Sequence, residues 1–105
     1  MRTYVLRNKD SIERIEGYLQ RVNAGHETNR EIRYHAGYQS KDCSFHSLSS
    51  PTHDFLVQVT IERPEKSPDE DKAYISLVEG NIARLISILR ERAEVELKEN
   101  QRVAV

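Results

Sequence analysis

The sequence predicts an α+β domain in which two helices pack on one face of a small, mostly antiparallel sheet. Apolar residues alternate from Phe55 to Ile61, which is typical of a half-buried strand. Residues 12–22 and 75–89 instead repeat apolar side chains every three or four positions, as amphipathic helices do. The resulting order, β-α-β-(β)-β-α, predicts a two-layer sandwich with three or four strands.

The first strand and the first helix follow from residues 3–23. Residues 3–7 are β-branched and aromatic, which predicts a short strand. Asp10 and Glu13 have capping-box spacing, and apolar residues follow at helical intervals. The first helix is therefore predicted from Ser11 to Asn23, with Gly25 in the position of a helix C-terminal glycine.

The middle of the chain predicts two strands separated by a loop. Alternation from Ile32 to Tyr38 indicates a strand with one buried face, and the strand from Phe55 to Glu62 ends before Pro64. Residues 39–53 between them are rich in Ser, Asp and His. We predict a loop or insertion there, with room for a short strand over Cys43–Leu48.

A long C-terminal helix is predicted over residues 66–99. Ser67, Pro68 and Glu70 supply an N-cap, a first-turn proline and a capping-box carboxylate. An apolar stripe reaches Leu89, and continuation to Lys98 would make the helix roughly 45 Å long. A domain of this size has too little surface to cover such a helix, so its end is expected to fray or to pack on a partner.

Composition predicts a single domain with a modest core. Apolar residues make up 37% and charged residues 31% of the 105 positions, unlike a disordered chain. The formal net charge of -1 lacks the basic excess typical of nucleic-acid-binding proteins. Cys43 is the single cysteine, and neither a membrane span nor a signal segment is present, so a reducing cytoplasm without membrane contact is expected.

Cys43 and the nearby histidines are the candidate metal ligands. Cys43 and His46, followed by His53, resemble part of a zinc site, and His35 is a further donor. A structural zinc site needs four ligands, usually from paired short spacings, and only one short pair is present. Ordinary histidines beside a half-buried cysteine are the favoured interpretation, so we predict no metal and no cofactor.

Catalytic patterns are equally poorly supported. The carboxylate of Asp42 is the wrong neighbour for an activated Cys43 thiol, because it raises a thiol pKa. The acidic run Asp69–Asp71 is explained by the first turn of the predicted helix, and the glycines are too scattered for a phosphate loop. We predict that the protein is not an enzyme.

Aromatic and basic residues near the second strand form a candidate surface for single-stranded DNA. Two interpretations of Tyr34 and Tyr38 are open, because bases could stack on their rings or the rings could lie in the core. Their alternation with Ile32 and Ala36 favours the core. The candidate residues are Arg2, Arg7, Arg30, Arg33, Tyr34, Tyr38 and Lys41.

The predicted long helix also supplies a candidate partner surface. Leu77 and Ile88 lie off its main stripe, and Val95 and Leu97 belong to the end that the domain cannot cover. These four residues are candidates for a homodimer interface or for contact with another protein.

Two stretches of the sequence resemble the NinB (Orf) family of phage recombination-accessory proteins. The first is Arg2–Arg7, followed by Ser11–Ile15. The second is Val57–Glu62, then Lys66–Asp71 and the pair Ala73-Tyr74 leading into a helix. The resemblance implies recombination mediation, with binding of single-stranded DNA and cooperation with single-strand-binding protein, usually as a dimer.

Two functions are consistent with these observations. The first is a small, non-catalytic accessory protein of a phage or mobile element, acting in recombination through protein contacts and contacts to single-stranded DNA. The alternative is a protein-interaction module or inhibitor that dimerises through its long C-terminal helix and binds no nucleic acid.

Overall fold

A five-stranded antiparallel sheet, with strand order β1-β5-β4-β3-β2, forms the framework of the protein. The computed structural model describes residues 1–26, 32–50, 52 and 55–103. The elements are β1 (Arg2–Leu6), α1 (Lys9–Asn23), β2 (Arg33–Gln39), β3 (Cys43–Ser50), β4 (Phe55–Glu62), β5 (Lys72–Glu79) and α2 (Ile82–Ile88). The predicted α+β class is confirmed, and the sheet has five strands instead of three or four.

One face of the sheet packs against both helices and holds the core. Val57, Val59 and Ile61 alternate along β4 and are at most 1% exposed. They belong to the same buried cluster as Ile15 of α1 and Leu85 of α2. Side chains at alternate strand positions therefore point into one shared core, which gives the two-layer arrangement that the period-two pattern predicts.

The first helix begins two residues before the predicted start. Asn8, not Asp10, is its N-cap, and the Asn8 side chain accepts a hydrogen bond from the Ser11 N–H at 3.1 Å. The helix ends at Asn23 as predicted. Gly25 has a φ of 76°, a left-handed conformation that glycine adopts at little cost after a helix.

The long C-terminal helix is not present. Pro68–Glu70 form only a short 3-10 turn, and the Ser67 side chain makes no capping hydrogen bond. Residues Lys72–Glu79 are strand β5, which pairs with both β1 and β4. The segment forms a strand because Ala73, Ile75 and Leu77 also alternate, and all three side chains are buried in the core. The helix implied after Asp71 by the family resemblance is thus a strand in this chain.

The helical segment of the C-terminal third is much shorter than predicted. It comprises α2 and a single wider π turn over Leu89–Ala93, and it stops at Glu94, whose φ is 55°. Beyond that residue the chain is non-helical up to a 3-10 turn at Glu99–Gln101, and Val95 and Leu97 are 1% and 8% exposed. The non-helical conformation lets their side chains reach the core, so there is no uncovered overhang.

The four candidate partner residues are buried in the hydrophobic core of the single chain. Leu77 is 6% and Ile88 is 5% exposed, and both belong to the same core as Val95 and Leu97. In the folded chain none of these side chains is presented to a partner. Dimerisation through a long helix therefore loses its structural basis.

The predicted loop over residues 39–53 is in large part strand β3. This strand pairs with β4 along its whole length, from Cys43 opposite Glu62 to Ser50 opposite Phe55. Its core-side residues His46, Leu48 and Ser50 are buried. The serines that suggest a loop occupy strand positions here, because pairing on both sides satisfies the backbone.

Replacing the N-cap of α2 should measurably weaken the fold. The Asn81 side chain accepts hydrogen bonds from the Ala83 and Arg84 N–H groups at 3.0 and 3.3 Å. We expect Asn81→Ala to lower the free energy of unfolding by about 1 kcal/mol, as for other N-caps. Urea denaturation measures this, and Asn81→Ser, which keeps an acceptor oxygen, is the control that should stay near wild type.

Candidate nucleic-acid-binding face

The second face of the sheet is the main candidate functional surface. Gln58, in the middle strand of the sheet, is exposed on this side, so no layer of the described chain covers it there. We call this surface the open face. From β2 to β1 it comprises Arg33, His35, Tyr38, Phe45, Ser47, Ser49, Leu56, Gln58, Thr60, Tyr74, Ser76, Thr3 and Val5.

An aromatic row crosses the open face. Phe45 is in register with Thr60, Thr60 with Tyr74, and Tyr74 with Val5. Tyr38 extends the row at the β2 edge, with its ring centroid 6.4 Å from that of Phe45. Tyr38 and Phe45 are 68% and 43% exposed, which leaves ring surface available to a planar partner.

A bulge in β2 places Tyr38 on this face. The register shifts between Ala36 and Gln39, so Tyr38 leaves the face on which Tyr34 lies. Gly37 passes close to Phe45 at this point, and a Cβ at Gly37 would lie 3.2 Å from the Phe45 Cβ. A larger residue at position 37 would be in tight contact with Phe45, so the absence of a side chain at Gly37 eases the close approach of the two strands.

A polar row runs parallel to the aromatic row. His35, Ser47, Gln58, Ser76 and Thr3 are in register across the five strands. The Thr3 and Ser76 hydroxyl groups are hydrogen-bonded at 3.0 Å. Hydroxyl and amide groups of this kind both donate and accept, so the row suits a ligand with mixed hydrogen-bonding edges.

Basic residues lie at both edges of the open face, although Lys72 is directly opposite the Glu62 carboxylate. Arg33 stands at its β2 edge, and Lys72 and Arg7 stand at its β5 and β1 side. The neighbouring carboxylates, Glu62 and Glu79, are at opposite ends of the paired segments of β4 and β5. The central rows are therefore free of carboxylates.

The structure brings together only part of the predicted DNA-contacting set. Arg33, Tyr38 and Arg7 lie on or beside the open face, whereas Arg2 is in register with the core residue Leu77 and belongs to the helix side. Tyr34 also points to the helix side. Lys41 lies in the turn between β2 and β3, where it forms an exposed ion pair with Glu65 at 2.8 Å, and Arg30 lies outside the described residues.

Phe45 and Tyr74 are members of the row that sequence analysis did not identify. Phe45 lies in the segment predicted as a loop, and Tyr74 in the segment predicted as a helix. Strand alternation opposite the buried Ala73 and Ile75 is the signal that assigns Tyr74 to this face.

On the helix side, His46 is the centre of a buried polar network. Its Nδ1 is 2.7 Å from the Tyr34 hydroxyl and its Nε2 is 2.9 Å from the Ser44 hydroxyl. The network borders a cavity of about 280 Å³, beside which Arg63 donates two hydrogen bonds to the Glu16 carboxylate at 2.8 and 3.1 Å. No described carboxylate is hydrogen-bonded to the imidazole to orient it as a catalytic base, so we assign the network a structural role.

Cys43 does not have the environment of a reactive thiol. Burial raises its pKa, and the nearby carboxylates of Glu62 and Asp42 raise it further. Thiolate, the nucleophilic form, is therefore disfavoured near neutral pH.

The candidate zinc ligands do not converge. His35 is on the open face, and His46 is on the helix side of the sheet. Within the described part of the chain no three His, Cys, Asp or Glu side chains are grouped so that they could hold a metal ion. The fourth candidate, His53, lies outside the described residues.

His46 should make stability depend on pH. Burial lowers the pKa of its imidazole, an effect that the Glu16 carboxylate partly opposes. The unfolded chain, with a His pKa of about 6.5, then takes up the proton first as pH falls. We expect the free energy of unfolding to decrease below about pH 6.5, by at most about 1.4 kcal/mol per pH unit for this one proton.

The direct measurement of this effect is an NMR titration of the His46 ring in the folded protein. The ring should titrate below about pH 6.5. Titration at or above that value would contradict the assignment, and His46→Gln should flatten the pH dependence of urea denaturation.

The helices in the described ranges are all too short or too polar to cross a membrane. The chain has no match among models of protein families, curated proteins or solved structures.

Proposed function

We propose that the open face binds single-stranded nucleic acid, with bases stacked on its aromatic row. The observation that carries this proposal is the exposed pair Tyr38 and Phe45, in line with Tyr74 across the sheet. Aromatic side chains on a flat sheet are a platform for unpaired bases, each worth about 1–3 kcal/mol. A paired duplex would hide the base faces that such a platform contacts.

The charge pattern supports a polyanion as the occupant. Arg33 and Arg7 flank the rows at the β2 and β1 sides, Lys72 lies opposite Glu62, and the central rows carry no carboxylate to repel phosphate. The net charge of the chain is -1, so attraction would be local and modest. The polar row supplies donors and acceptors for base edges without demanding one sequence.

A role in recombination is the wider part of the proposal. It rests on two stretches that resemble the NinB (Orf) family. The first is Arg2–Arg7 with Ser11–Ile15, and the second is Val57–Glu62 with Lys66–Asp71 and the pair Ala73-Tyr74. The nucleic-acid part does not depend on that resemblance, because it follows from the side chains of the open face.

A fluorescence-anisotropy titration with 3′-labelled oligothymidylate tests the proposal. We expect a dissociation constant of about 1–100 µM at low salt and weaker binding to duplex of the same length. The two flanking arginines, Arg33 and Arg7, predict a slope of about -1.4 for log K against log salt concentration. No binding at 100 µM, or equal binding of duplex and single strand, would exclude the proposed mode.

A charge-matched pair of variants locates the site. Arg33→Gln removes a cation beside the rows, and Arg90→Gln removes an exposed cation from the helical layer. Only the first should weaken binding and make the salt slope shallower, by about 0.7. Equal effects of the two variants would indicate binding elsewhere.

A further inference from the structure

A cavity of about 540 Å³ opens at the β1 end of the aromatic row. The segment after Glu99 forms one wall, because Arg102 bridges to Tyr4 and the Val103 N–H donates to the Thr3 carbonyl at 2.8 Å. Val5 and Tyr74 supply its apolar and aromatic surface. A volume of this size lies in the range of small-ligand sites.

The polar side chains of the cavity are biased toward donating hydrogen bonds. Arg7 and Arg102 contribute guanidinium groups, which only donate. Asn8 and Gln101 also line it, and their amide oxygens already accept backbone N–H groups, of Ser11 at 3.1 Å and of Lys98 at 2.7 Å. Their NH₂ groups remain to donate to a ligand, and none of the described residues that line the cavity carries a carboxylate.

The charges of the two arginines are available to an anion. Within the described chain Arg7 has no ion-pair partner. Arg102 pairs with Glu99 at 3.1 Å, but the Glu99 side chain is 77% exposed, and such surface pairs contribute little. Two guanidinium groups beside an aromatic ring are the chemistry that recognises a phosphate attached to a planar base.

We propose that this cavity, lined by Arg7, Arg102, Asn8, Gln101 and Tyr74, binds a nucleoside 5′-phosphate. The base lies on Tyr74 and Val5, and the phosphate is bound by the two arginines. Because Tyr74 also belongs to the aromatic row, the cavity is placed to receive the 5′ end of a bound strand. The assignment of the cavity to a strand end rests on the proposed function, whereas binding of the phosphate is inferred from the residues that line the cavity.

An NMR titration of the ¹⁵N-labelled protein tests the cavity without any strand. Adenosine 5′-monophosphate and adenosine are the two probes. We expect the monophosphate to shift the amide signals of residues 5–8, 74 and 100–103, with at least tenfold tighter binding than adenosine. Arg7→Gln should reduce that preference severalfold and Arg90→Gln should leave it unchanged. Equal binding of the two probes, or no shift at these amides, would overturn the proposal.

A second measurement separates the two sources of the phosphate. Oligothymidylate with a 5′-phosphate is compared with the 5′-hydroxyl strand by anisotropy. A preference of fivefold or more that Arg7→Gln removes assigns the cavity to strand ends. Equal affinity, together with binding of the monophosphate, assigns it to free nucleotides. Failure of both strands to bind would refute the proposed function and leave the NMR result to decide the cavity.

Discussion

Phe45→Ala is expected to weaken the binding of single-stranded nucleic acid by about 5- to 150-fold. Phe45 is on β3, next to the edge strand β2, with Tyr38 on one side and Thr60 on the other. Loss of one stacked base costs about 1–3 kcal/mol, which gives this range of dissociation constants. Anisotropy at fixed low salt measures the change, and the salt slope should stay as in wild type because no charge is removed.

Two variants decide whether the ring itself is responsible. Phe45→Tyr retains an aromatic face and should bind within about threefold of wild type, since stacking tolerates the added hydroxyl group. Val78→Ala shortens an exposed apolar side chain near the end of β5, outside the row, and should leave binding unchanged. If Phe45→Ala binds as tightly as wild type, the aromatic row is not the binding platform.

Local patterns predict α1 and β4 well because these segments have only one consistent interpretation. The apolar residues of α1 recur at three- and four-residue intervals, and Ile12, Ile15 and Leu19 are all buried. On β4 the alternation from Phe55 to Ile61 fits a strand and no helix. Both elements carry strong local preferences that agree with their tertiary environment.

The region after Ser67 was mispredicted because its sequence satisfies two periods. Ile75, Val78 and Ile82 fit a helical stripe, whereas Ala73, Ile75 and Leu77 fit a strand. Strand pairing decides between the two structures, since β5 lies between β1 and β4 and forms hydrogen bonds with both. Such pairing joins residues far apart in the chain, and a local pattern contains no information about it.

The open face was only half predictable for a related reason. Alternation assigns Tyr34 and Tyr38 to the same side, but the bulge between Ala36 and Gln39 separates them. A bulge depends on how β2 meets β3, where Gly37 crosses Phe45. Candidate residues could therefore be named by type from the sequence, but the row that they form required the register of the sheet.

Leu97→Ala is expected to lower the free energy of unfolding by about 2–4 kcal/mol. The residue was predicted to contact a partner, but the structure places it in the core, where it is 8% exposed. Leu→Ala at a buried position removes transfer free energy and leaves a cavity. For a domain of this size the melting temperature should fall by about 8 °C or more, and urea denaturation of dilute protein measures the same loss.

The contrast with Val78→Ala makes this result decisive about where residues 95–97 lie. Val78 is 39% exposed, so its truncation should change the free energy of unfolding by less than about 0.5 kcal/mol. If Leu97 packed only on a second copy of the chain, its truncation would not change the free energy of unfolding at concentrations where the chain is monomeric. If Leu97→Ala is as stable as wild type in dilute solution and changes sedimentation at high concentration, Leu97 lies in an interface between copies of the chain. A large loss that does not vary with protein concentration places it in the core of the single chain.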